Sequence, residues 1–166
     1  AANTRQITPT GMEAPGTTCP APNTAACRAL AHAIRRHVLQ MTHRAGSSHV
    51  GSSFSMAELL AVLYGRVLRV SPETADHPDR DRLILSKGHG CAGLYAVLAE
   101  CGFFPRQWLE SFYHDGAKLP GHATAHGIPG IEVSTGSLGH GLPIACGLAW
   151  AGRAPASPWR PRSPGC

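Results

Sequence analysis

Asp79-Arg80-Asp81-Arg82-Leu83-Ile84-Leu85-Ser86-Lys87-Gly88-His89-Gly90 decides how this chain reads. A charged run breaks abruptly into Leu83-Ile84-Leu85-Ser86, and four such residues are enough for a buried parallel strand. Lys87-Gly88-His89-Gly90 then turns the chain. Leu94, Tyr95, Val97 and Leu98 follow at helical spacing, and Gly102 is placed just past the helix end. Strand, glycine turn and helix in that order predict an α/β fold. In open α/β sheets ligands lie beyond the carboxyl ends of strands, and helix N-termini attract phosphate through free N–H groups and the helix dipole. His89 stands at that junction and is the first residue to point to an anion site.

Upstream, Leu30, Ile34, Val38 and Met41 recur at helical spacing, which predicts a helix from about Thr24 to Arg44, closed by Gly46. Gly46 to Ser55 is polar and rich in small residues, a loop in which backbone can approach a ligand. Ser55-Met56-Ala57-Glu58 has the form of a capping box, and Leu59, Leu60, Val62, Leu63 and Val67 predict a mostly buried helix after it. Ser71-Pro72 forbids its continuation. Downstream, Pro105 can start a short helix through Trp108, Leu109 and Phe112. Residues 115–129 form an irregular loop holding Gly121-His122 and His126. Ile131-Glu132-Val133 is a weak strand candidate, and the small-residue loop from Ser134 to Gly141 leads into a helix through about Gly152. Pro143 fits that helix only in its first turn. The expected organisation is a flexible leader over 1–24, one cofactor-domain segment over 25–153, and a disordered Pro/Arg-rich tail over 154–166. The tail begins abruptly where a strand is due, as a shifted reading frame after about Arg153 would make it.

A length of 166 residues suits one domain with a real core. A charged share of 15% with 43% apolar residues excludes wholesale disorder and coiled coil. No apolar run approaches the roughly 18 residues of a membrane span, so no membrane association is expected. The net charge is +5, but Arg153, Arg160 and Arg162 belong to the C-terminal tail and its edge, so the body is only mildly basic. No Lys/Arg stripe with interleaved aromatics appears, which argues against nucleic acid and leaves a small anion as the better partner. Cys19, Cys27, Cys91, Cys101, Cys146 and Cys166 make no Cys-x-x-Cys pair, which fits a reducing, cytoplasmic setting.

Three of the ten histidines, His49, His89 and His122, sit in Gly/Ser-flanked loops beside predicted helices. Imidazole suits proton exchange near neutral pH and donation to phosphate or sugar oxygens. A surface or core role explains most single histidines; three in one local context weaken that explanation. A zinc site is disfavoured: His122 and His126 are four apart, but Gly121, Gly127 and Pro129 oppose the helix that would align them, and no further ligands stand at suitable spacing. Cys91 as a nucleophile is disfavoured by its apolar neighbours. Ser134-Thr135-Gly136-Ser137-Leu138-Gly139 could cradle phosphate but lacks the Lys-Ser/Thr ending of a P-loop.

Four strings then align in order with a known family: Ala45 to Ser55, Asp79 to Gly90, Leu119-Pro120-Gly121-His122, and Pro129 to Gly141. From about Ala26 to Arg153 the chain resembles the N-terminal, cofactor-binding part of transketolase, and also the N-terminal subunit of split transketolases. Ser86-Lys87-Gly88-His89-Gly90 favours transketolase over the related deoxyxylulose-phosphate synthases. The resemblance implies an incomplete thiamine-diphosphate-binding fold, with helices around the start of a parallel sheet. It implies a transferase moving a two-carbon ketol unit between sugar phosphates, with the cofactor supplying the carbanion chemistry. His49 resembles the histidine facing the substrate and the reacting end of the cofactor. His89 resembles the histidine on the cofactor diphosphate, and His122 the one on the donor sugar's hydroxyls. Gly136, Ser137 and Leu138 resemble the Gly-x-Leu that brackets the aminopyrimidine.

The chain also departs from the family. Its Ser-Gly-His-Pro-Gly reads Ser47-Ser48-His49-Val50-Gly51 here, His140 stands where Gln is usual, and Pro143 where a small polar residue is common. The family's Gly-Asp-Gly strand and later Asn, which hold Mg²⁺ on the diphosphate, have no counterpart: no Asp, Glu or Asn follows Arg153. The glutamate that activates the aminopyrimidine belongs to a following domain. No metal ligand is therefore expected in this chain. The expectation is weak cofactor binding and no turnover alone, with activity requiring a C-terminal transketolase part or subunit in a homo- or hetero-oligomer. A non-catalytic remnant or binding subunit of the same fold is the alternative. Missing later strands predict an exposed sheet edge and uncovered apolar helix faces.

Overall fold

The computed structural model describes residues 24–153. Five α-helices order this segment: α1 (Thr24–Ala45), α2 (Val50–Phe54), α3 (Ala57–Val62), α4 (Cys91–Glu100) and α5 (Gly141–Ala151). A π-helical turn, Leu63–Val67, continues α3, and short 3-10 turns occupy Pro72–Thr74, Gly88–Gly90 and Arg106–Ser111.

The period of apolar residues makes α1 and selects its inner face. Ala31, Ile34, Val38 and Met41 are buried at three- and four-residue steps. The buried Thr42 hydroxyl is satisfied inside the helix by the Val38 carbonyl, 2.7 Å away. Helix α4 is apolar on every side and is the core element, with every residue from Cys91 to Ala99 buried. It packs on α1, α2 and α3, and Phe103, Phe104, Leu109 and Phe112 close the core below it. Complete burial of Ile34, Val38, Leu94 and Leu98 contributes about 2 kcal/mol for each side chain. Gly102, with φ +83°, lets the chain leave α4 as its sequence position predicts.

Two expectations are corrected. The Gly46–Ser55 segment is not all loop: Val50–Phe54 forms α2, with Ser53 turned into the core. The capping box at Ser55 and Glu58 does not form. The Ser55 hydroxyl donates back to the Ser52 carbonyl at 3.0 Å, and α3 starts at Ala57. Its buried face is Ala57, Leu60 and Ala61, so Leu59, Val62 and Val67 are exposed rather than mostly buried. The apolar run is longer than one helical stripe can hide.

The expected sheet is not seen among the described residues. Among the described residues no strand forms, and Leu83–Ser86 and Ile131–Val133 run without a backbone ladder. Side chains join the two segments instead. Arg80 reaches both Glu132 oxygens at 2.9 and 2.8 Å, and Arg82 lies 3.7 Å from the same carboxylate. The Thr135 hydroxyl donates to the Leu85 carbonyl at 2.7 Å. These contacts keep the same order along both segments, as parallel neighbours do. A strand exists only when a neighbour satisfies its N–H and C=O groups about 4.8 Å away, and neither segment offers that to the other. The segments expected as leader (1–24, but for Thr24 at the start of α1) and tail (154–166) lie outside the described residues.

Candidate functional site

The three predicted histidines converge. The His49 and His89 rings stand 4.8 Å apart at 70°, and the His89 and His122 rings 4.5 Å apart at 81°. His49 and His122 are exposed and His89 is half-buried between them, so the imidazoles form one cluster open to solvent.

Each reaches the cluster by a different device. His49 precedes α2 with φ 72°, a left-handed conformation that costs a non-glycine residue about 1 kcal/mol or more. His89 is carried by the 3-10 turn that opens α4. That turn is pressed against the 134–136 segment: a Cβ on Gly88 would stand 2.5 Å from the Thr135 carbonyl oxygen and 2.8 Å from the Gly136 nitrogen. His122 is held through its backbone from α4. The buried Tyr95 hydroxyl is shared between the carbonyls of His122 at 2.8 Å and Pro120 at 3.1 Å, and the Cys91 thiol donates to the Gly121 carbonyl at 3.1 Å. Burial pushes the Cys91 thiol up to about 12 and raises Tyr95 as well, so both remain protonated donors. Cys91 is thus a packing and anchoring residue, not a nucleophile.

Gly136 is part of the cluster, its Cβ position 3.2 Å from His122 Cδ2. Ser137 and Leu138 are exposed. Sequence reasoning missed Tyr95, which a helical pattern marks only as core, and Lys87, whose ammonium donates to the Ser55 hydroxyl at 2.7 Å. It also missed Ser47 and Ser53.

Those serines matter to what the cluster can bind. Among the described residues, three buried side-chain polar atoms have no hydrogen-bond partner: Ser47 Oγ, Ser53 Oγ and His89 Nδ1. Buried polar atoms are rarely left unpaired, and all three belong to the segments that bring His49 and His89 together. A polar ligand with phosphoryl oxygens fits these groups and the adjacent start of α4. A divalent metal does not fit them. Among the described residues no three His, Cys, Asp or Glu side chains gather as a metal would need.

Known proteins resemble this chain over most of its described length. The family described as transketolase, thiamine diphosphate binding domain, matches residues 26–162. An apulose-4-phosphate transketolase subunit of Actinobacillus succinogenes is 46% identical over 124 residues, which are 74% of this chain and 45% of that protein. A 6-deoxy-6-sulfo-D-fructose transketolase subunit of Clostridium sp. (strain MSTE9) is 44% identical over 121 residues, 73% of this chain and 44% of the relative. The solved transketolase from Leishmania mexicana superposes with a TM-score of 0.72 at 38% identity, over 76% of this chain and 19% of that one. The chain spans a little under half the length of the two curated subunits it matches.

Proposed function

The chain belongs to the transketolase family, and from that premise we propose that it is the N-terminal, cofactor-holding part of an enzyme transferring a two-carbon ketol unit between sugar phosphates. The convergence of His49, His89 and His122 beside three unpartnered buried polar atoms carries this reading. His89 directs its free Nδ1 to the diphosphate of thiamine diphosphate, next to the N-terminus of α4. His49 faces the substrate at the reacting end, and His122 donates to the hydroxyls of the donor sugar. Gly136 admits the cofactor ring against backbone, and Ser137 and Leu138 complete that bracket once the cofactor is bound. Bound there, thiamine diphosphate supplies the electron sink that ketol transfer requires; this chain's own groups orient it and exchange protons with sugar oxygens.

Mg²⁺ finds no ligand set among the described residues, so its oxygen ligands come from another segment or chain. A diphosphate carries about two to three negative charges, whereas a helix N-terminus offers about half a positive charge. One imidazole and a few amides do not make up the difference. The isolated chain therefore binds the cofactor weakly and does not turn over. Relatives named as subunits support a partner that completes the enzyme as an oligomer. A non-catalytic subunit of the same fold is the second reading, favoured by the lack of a metal-ligand group among the described residues. Among the described residues no helix is long and apolar enough to cross a membrane. Cys27, Cys91, Cys101 and Cys146 are unbridged, in keeping with a reducing, cytoplasmic setting.

Titration calorimetry of the 166-residue chain with thiamine diphosphate, with and without Mg²⁺, tests the first claim. Weak binding indifferent to Mg²⁺ is expected, and tight Mg²⁺-dependent binding would refute it. Mixing with the C-terminal subunit of a split transketolase separates the two readings. Restored ketol transfer supports the enzyme, and continued inactivity of a formed complex supports the non-catalytic subunit.

A further inference from the structure

Lys87 is held by a hydroxyl rather than by a carboxylate. Arg35, Arg69, Arg80, Arg82 and Arg106 all pair with carboxylates. The Lys87 ammonium instead donates to the Ser55 hydroxyl at 2.7 Å, and no carboxylate of the described residues forms a salt bridge with it. Its stem leans on the start of the next helix while the bond to Ser55 stays exposed. Lys87 Cε lies 3.5 Å from the Cβ position of Gly90, the residue that caps α4, and the residue as a whole is half-buried.

That placement works against the helix dipole. A cation beside a helix N-terminus is disfavoured, and α4 has no acidic residue in its first turn to offset it. Ser55 fixes one of the three ammonium N–H groups and leaves two. His89 Nδ1, two residues away, is buried and unpartnered, and so is Ser53 Oγ, two residues before Ser55. Positive charge and a helix N-terminus therefore lie together, and the unsatisfied His89 Nδ1 and Ser53 Oγ belong to the two segments that the Lys87–Ser55 bond joins.

We propose that Lys87 is a phosphoryl-contacting residue of this site, aimed by Ser55, whose two remaining N–H groups bind phosphate oxygens of the ligand. The proposal rests on the cofactor reading above and extends it to a residue outside the histidine cluster. The phosphate can belong to the cofactor or to a sugar phosphate, and the choice of probes tells them apart.

The test is titration calorimetry of the full chain and of Lys87→Met, Lys87→Arg and Ser55→Ala. The probes are thiamine diphosphate, inorganic pyrophosphate, fructose 6-phosphate and uncharged-tail thiamine, each at millimolar concentration. Loss of a charge-assisted hydrogen bond should weaken thiamine diphosphate and pyrophosphate about tenfold in Lys87→Met. Thiamine binding should not change, and the salt dependence of pyrophosphate binding should become shallower. Lys87→Arg should stay within about threefold of the parent, because the charge is kept. Weakening confined to fructose 6-phosphate also supports the contact and assigns it to the substrate's phosphate. Equal affinities of parent and Lys87→Met for all three anions would overturn the proposal while leaving the cofactor reading intact. Failure of the parent to bind any of the three anions would overturn the proposal, and the cofactor reading, which expects weak binding by the chain alone, is then decided by the mixture with the C-terminal subunit. If Lys87→Met loses its helical circular dichroism, Ser55→Ala decides: about a threefold loss of pyrophosphate affinity supports the contact, and none overturns it.

Discussion

Tyr95 and Cys91 lie one turn apart on α4 and direct their hydrogens at one short segment, Pro120 to His122. Both groups need their protons for this, and burial supplies the condition by raising both. For Cys91, a rise from 9.0 to about 12 lowers the thiolate fraction at pH 8 about a thousandfold. Iodoacetamide at pH 8 should therefore label the exposed Cys146 promptly and leave Cys91 intact until the chain unfolds, as peptide mapping would show. Rapid labelling of Cys91 in the folded chain would contradict this burial. Tyr95→Phe removes one hydroxyl from two carbonyls and should cost about 1–2 kcal/mol, read as a lower urea midpoint at unchanged slope. The sequence showed His49, His89 and His122 because glycine and serine flank them, and a loop histidine has no packing excuse. It hid Tyr95, because a helical apolar position carries no mark of the carbonyl its hydroxyl will meet.

Helices were legible for a physical reason. Their hydrogen bonds are local, so α1 follows from the period of Ile34, Val38 and Met41, and α4 from the run after His89. Strands were not, because a strand needs a neighbour's backbone, and Leu83–Ser86 meets the 131–135 segment through the Thr135 hydroxyl rather than through a ladder. The Arg80–Glu132 pair is the chief tie between these segments, with both side chains less than 15% exposed. Glu132→Gln should cost about 3 kcal/mol, since it leaves two guanidiniums sharing a partly buried site without a counter-charge. Arg82 already feels this crowding: burial, and then Arg80, hold its guanidinium below the ordinary value. A Glu132→Gln chain as stable as the parent in urea would show that the segments are held by something else. The exposed Arg35–Glu58 pair between α1 and α3 is a weaker tie. Its hydrogen bond from Arg35 holds the Glu58 carboxyl below the usual 4.5. A depressed carboxyl stabilises the fold above its unfolded value and loses that contribution as pH falls through the folded one. Glu58→Gln should therefore lose at most about 0.5 kcal/mol at pH 7, and nothing once the pH has fallen through the folded value, in melts followed over a descending pH series.

At the scale of the molecule, α5 is out of balance with water. A helix apolar on every side is normally buried, yet in α5 only Gly141 is buried among its residues. Its first turn does pack: a Cβ on Gly141 would collide with Ser86, so the N-terminus of α5 lies against the segment that leads into His89. Beyond that turn Leu142 is 67% and Trp150 76% exposed, and Leu138 stands uncovered just before the helix. Clustered exposure of large apolar side chains marks a surface that other protein normally covers, and without cover it drives association. The 166-residue chain should therefore form concentration-dependent oligomers or aggregates at tens of micromolar in light scattering and should bind the dye ANS. Leu142→Glu with Trp150→Glu places two charges on that helix, away from the Ser86 contact. The double variant should shift the scattering onset about tenfold higher in concentration and dim ANS, with the melt of α1 and α4 unchanged. Salt separates the cause, because apolar association strengthens in sulfate whereas charge-driven association of a chain at +5 would be screened. If the parent chain stays monodisperse, or if the double variant aggregates as readily, α5 is covered by this same chain and the apolar face is not what limits its solubility.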